Sequence, residues 1–60
     1  MILNFEPESG ENIQNCIKVA LRTAQILQCD VEFIFNSFRV YVRPNSDAHE
    51  ILKRFLSNFN

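Results

Sequence analysis

Glycine is nearly absent from this chain, histidine occurs once, and there are only two cysteines and two prolines. With one glycine, no Gly-rich loop can wrap a phosphate. Structural zinc asks for about four ligands, and Cys16, Cys29 and His49 do not supply them. A disulfide scaffold of this size usually carries four or more cysteines, so both thiols are expected to be reduced and structural. No apolar run approaches the roughly 20 residues of a membrane span. The opening "MILNFEPESG" lacks the basic start and long apolar stretch of a secretory signal. The expectation is a complete cytoplasmic polypeptide with no membrane segment. A basic excess is also missing: six Lys and Arg stand against seven Asp and Glu, for a net charge of −1. Nucleic-acid modules usually show a clear surplus of positive charge, so composition leans mildly against that use.

What remains is the composition of a foldable globule, 47% hydrophobic and 22% charged, with six phenylalanines. Sixty residues form one domain, residues 1–60. A domain of that size buries only about 60% of the surface its unfolded chain exposes. Disulfides, a metal or oligomerisation usually supplement so small a core. The first two being excluded, oligomerisation is the supplement left.

Residues 1–5, "MILNF", are apolar and β-compatible, either a short edge strand or a tail packed on the core. Pro7 and Gly10 break the following stretch, where Ser9 or Asn12 can cap a helix. Residues 11–28 contain neither Gly nor Pro and repeat apolar residues at helical spacing. Ile13, Cys16, Ile17, Ala20, Leu21, Ala24 and Leu27 share one face. Val19 and Ile26 lie outside it with Thr23 between them, an apolar arc wider than packing on one sheet requires.

The segment "CDVEFIFNSFRVYVRP" alternates apolar and polar residues on both sides of Asn36-Ser37. With those two residues as the turn, Phe35 faces Phe38, Phe33 faces Val40 and Val31 faces Val42. On the reverse face Ile34 meets Arg39, Glu32 meets Tyr41 and Asp30 meets Arg43. Pro44 ends the strand. A second helix then starts at Asp47, with Glu50 three residues on, or at Ser46. Its narrow stripe is Ala48, Ile51, Leu52, Phe55, Leu56 and Phe59. The predicted architecture is α+β in two layers, with two helices on one face of a small antiparallel sheet, in the order (β)αββα.

Catalysis finds little support. Cys16 falls on the apolar face of the first helix, where a thiol is packing, and His49 reads as a solvated residue in the first turn of the second. Glu6, Glu8 and Glu11 precede a helix whose dipole they complement. No enzyme activity, metal or cofactor is expected. The reverse face of the hairpin offers Tyr41 between Arg39 and Arg43, a grouping that can stack on and hold single-stranded nucleic acid. Glu32 and Asp30 lie opposite and offset it. Protein contact explains more: Val19, Thr23 and Ile26 on the first helix, and Ile34 and Tyr41 on the outer sheet face, leave apolar area for a second copy or another protein. "MILNF" covering Val19 and Ile26 is the intramolecular alternative.

The stretch "VEFIFNSFRVYVRPNSDAHEILKRF" resembles small proteins of tailed phages and prophages, in which a "VxFxFN" strand runs into a "VxVxP" strand and a Ser/Asp-capped helix. The resemblance covers the second half of the chain and brings no activity to transfer residue by residue. It implies a context, an accessory protein of a mobile element that binds and modulates a host or phage protein.

Overall fold

The computed structural model describes residues 1–58, so Phe59, expected at the end of the second helical stripe, lies outside the described residues. The elements run β1 (Ile2–Phe5), α1 (Ile13–Leu27), β2 (Asp30–Phe35), β3 (Phe38–Val42) and α2 (Ala48–Ser57). Order and class match the α+β reading. "MILNF" is therefore a strand and not a cover for α1.

The hairpin is antiparallel in the expected register: Phe35 with Phe38, Ile34 with Arg39, Phe33 with Val40, Glu32 with Tyr41 and Val31 with Val42. Asn36 and Ser37 both take positive φ, 51° and 65°, which a two-residue turn matching the twist of its strands requires. The sheet as a whole is not antiparallel, however. β1 pairs in parallel with β2, Leu3 beside Val31 and Phe5 beside Phe33, in a mixed sheet of order β1-β2-β3. The reason is the intervening helix: neighbouring strands joined by a crossover of a dozen or more residues run in the same direction.

Both helices cover one side of the sheet. Asn12 caps α1 through a 2.7 Å bond from the Asn15 amide, and Gln28 ends it in the left-handed conformation at φ 52°. Asp47 caps α2, accepting from the His49 amide at 2.9 Å. The alternative cap, Ser46, instead accepts from the Arg43 amide and closes the turn after β3. Cys16, Ile17, Ala20 and Ala24 of α1 meet Val31, Phe33, Val40 and Val42 of the sheet and Phe55 of α2 in one buried core. The Phe55 ring sits edge-on to Phe35 at 5.6 Å and to Phe38 at 5.5 Å, and so closes the turn end of the hairpin. α1 lies over β2 and β3, and β1, at the margin, packs Leu3 and Phe5 against the edge of the core. Leu3 and Phe5, the helix-side residues of β1, are consequently only half-buried.

Candidate interaction surfaces

Alternation along the strands sends Asn4, Asp30, Glu32, Ile34, Arg39 and Tyr41 to the face opposite the helices. The five residues expected to form an interface thus divide between two sides of the molecule. Val19, Thr23 and Ile26 lie on α1, and Ile34 and Tyr41 lie beneath the sheet.

On α1, Val19 is 48% exposed and Ile26 71%, with Thr23 half-buried between them. The flank of α1 that carries Gln14 and Lys18 borders Ala48, His49 and Leu52 of α2. Val19 lies on the other flank, in a shallow hollow with Phe5, Pro7 and Cys16. Phe5 and Pro7 border Val19 without burying it, and Ile26 is the more open of the two. Leu27, which periodicity assigns to the core face, is 56% exposed, although Ala24, in the same last turn of α1, is fully buried. Met1 and Ile2, at the start of the edge strand, are exposed as well. Sequence reasoning passed over both, since with "MILNF" undecided between strand and tail no face could be assigned to them. Once Leu3 and Phe5 point inward, Ile2 and Asn4 must point out.

The outer sheet face is internally compensated. Tyr41 donates its hydroxyl to Asp30, and the Arg43 guanidinium stands 5.6 Å from the centre of the Tyr41 ring, a cation–π arrangement. Arg39 approaches Glu32 at 3.9 Å, with the arginine largely in solvent. Such an exposed pair contributes about 1 kcal/mol at most. The hydrogen bond to Asp30 is the main cause that holds the Tyr41 phenol above its ordinary value, with desolvation and the aspartate charge adding to it. Ile34, 58% exposed beside Arg39, is the outer face's largest exposed aliphatic group on the hairpin.

Among the described residues, no three His, Cys, Asp or Glu side chains group so as to hold a metal ion, and no helix is long and apolar enough to cross a membrane. Cys16 is buried, and burial, aided by the charge of Glu11, raises its thiol pKa, which disfavours the reactive thiolate. His49 is exposed, and the hollow it borders holds neither cysteine. No protein-family model, curated protein or solved structure matches the chain.

Proposed function

We propose that this chain is a non-enzymatic protein–protein interaction module that works as a homodimer in the cytoplasm. The observation that carries the reading is the pair Val19 and Ile26, exposed on a helix whose other flank is covered by α2. A chain of 60 residues gains most from covering them, because its own core is small. Sequence resemblance adds the context of a phage or mobile-element accessory protein that modulates a partner.

Nucleic-acid binding through Arg39, Tyr41 and Arg43 is the second reading. It draws less support, because Arg39 faces Glu32 and Tyr41 is bonded to Asp30. The two readings part under light scattering. A dimeric mass at high micromolar concentration, with a Tm that rises with concentration, follows from the first. Burying an isoleucine contributes roughly 1.5–3 kcal/mol, and each dimer buries two copies, so Ile26→Glu weakens association at least tenfold. A monomeric mass throughout removes the dimer.

A further inference from the structure

We infer that the dimer forms through β1: the strand pairs antiparallel with β1 of a second copy about a two-fold axis, which joins the two sheets into one of six strands. This rests on the homodimer reading and names its surface.

The two outer strands of the sheet, β1 and β3, differ. Both edge strands are followed by a charge and a proline, Glu6-Pro7 after β1 and Arg43-Pro44 after β3, but only β3 carries a charge within it, Arg39, a device by which natural sheets protect an edge. β1, Ile-Leu-Asn-Phe, has no charge and no proline within it, and alternate residues leave their N–H and C=O groups pointing away from β2. Exposed apolar side chains gather at the same place, with Met1 96% and Ile2 48% exposed.

The pattern of β1 also complements itself. Directly opposed residues in an antiparallel pair share a face. An axis through Leu3 or through Asn4 therefore sets Leu3 and Phe5 of both copies on the helix side and Ile2 and Asn4 on the other. An axis between those two residues would oppose the inward set to the outward set, and is excluded by the same rule. With the axis at Leu3, Met1 falls against Phe5 of the second copy.

The helices suit this arrangement. Only Gln28 and Cys29 separate α1 from Asp30, which pairs with Ile2, so the last turns of α1 stand level with this edge. Val19 shares its hollow with Phe5. Leu3 shares the inner side of β1 with Phe5, and Thr23 and Ile26 continue the Val19 flank of α1 one and two turns on, so β1 offers a floor and α1 a wall. A second β1 extends the floor, and a second α1 supplies the opposite wall. The two β2 strands then lie three strand spacings apart, roughly 14 Å, and because α1 lies over β2 and β3 the two helices stand at least that far apart, facing one another across the paired β1 strands. A specific interface buries about 1,200 Å² in total at its lower limit. Half of that is about an eighth of the 4540 Å² surface of one chain, an area within reach of one edge strand and one helix flank.

Amide hydrogen exchange of the unaltered protein, followed by NMR at low and high micromolar concentration alongside light scattering, tests the pairing. The expected result is that the amides of Ile2–Phe5 that exchange freely in dilute solution become at least tenfold slower as the dimer fills. Asn4→Lys, which brings like charges together across the axis, should shift the dimer constant at least tenfold with an unchanged far-ultraviolet spectrum. A dimer that forms while β1 exchange stays independent of concentration overturns the β1 pairing and leaves a homodimer using another face. A monomer at every concentration overturns the homodimer reading itself.

Discussion

Tyr41 and Asp30 are bonded diagonally across the outer face of the hairpin, the phenol donating to the carboxylate. The residue directly opposite Tyr41 is Glu32, which faces Arg39 instead. Both polar contacts therefore step one pair along the ladder in the same sense. One arginine is thereby set against an acid, and Asp30 and Arg43 both engage Tyr41, on a face that a nucleic-acid reading would need to be basic.

Titration of Tyr41 measures this network. The chain has one tyrosine and no tryptophan, so near-ultraviolet absorbance reports this phenol alone. Its native pKa is raised, first by the bond to Asp30. Asp30→Asn should return it toward the ordinary value of 10.0, whereas Arg43→Ala should raise it further, because Arg43 acts in the opposite direction. The native state holds this proton more tightly than the unfolded chain. Its contribution to stability is complete below pH 10 and is lost as pH rises through the native value. A wild-type phenol that titrates at or below the ordinary value would remove the bond.

The turn offers a stabilising substitution. Ser37 sits at φ 65°, a conformation that costs a residue with a side chain roughly 1–2 kcal/mol. Glycine avoids that strain but adds about 0.5–1 kcal/mol of unfolded-state entropy. Ser37→Gly should raise stability by up to about 1.5 kcal/mol in urea unfolding, with the register unchanged. Destabilisation would show that the Ser37 side chain makes a contribution beyond the turn.

The hairpin was legible because a period of two sorted both faces at once: one register placed Phe35, Phe33 and Val31 against Phe38, Val40 and Val42, and a slip of one residue would have mixed them. The direction of β1 was not. Four residues carry no mark of orientation, and the parallel pairing follows from the return through α1, a tertiary fact. Leu27 and Leu56 follow helical spacing and are still exposed, since periodicity assigns a face without saying how far the core beneath it extends. On the outer face, directly opposed pairs were predicted and diagonal ones formed, within the reach of long side chains. Of the candidate surfaces, the breadth of α1 at Val19 and Ile26 was readable from the wheel. The exposure of Met1 and Ile2 had to wait for β1.

Core substitutions should separate by the space they leave. Ile17 is fully enclosed at 1% exposure, and Ile17→Val removes one methylene, at a cost of about 0.5–1.5 kcal/mol. Phe33, 2% exposed, stacks on Phe5 at 5.0 Å, and Phe33→Ala should cost about 3–5 kcal/mol. Natural domains retain roughly 0.05–0.15 kcal/mol per residue, so the second loss is comparable to the whole stability of a 60-residue chain. Circular dichroism should show a folded Ile17→Val protein with a lowered urea midpoint and a largely unfolded Phe33→Ala protein. A cooperative native transition in the latter at unchanged midpoint would mean that Phe33 is not central to the core.

The outer face makes a last prediction by charge. Arg39 and Arg43 lie beside Glu32 and Asp30, so single-stranded oligonucleotides at low salt should bind weakly or not at all, and Arg39→Ala with Arg43→Ala should change nothing measurable. Asp30→Asn with Glu32→Gln removes the compensating charges without adding a cation. That variant should gain salt-sensitive affinity, because counterion release depends on the number of uncompensated cations that meet phosphates. Gain in the acid-free variant alone would assign the carboxylates the role of neutralising this face. Strong wild-type binding abolished by the arginine substitutions would instead make the hairpin the functional surface and displace β1 and α1 from that role.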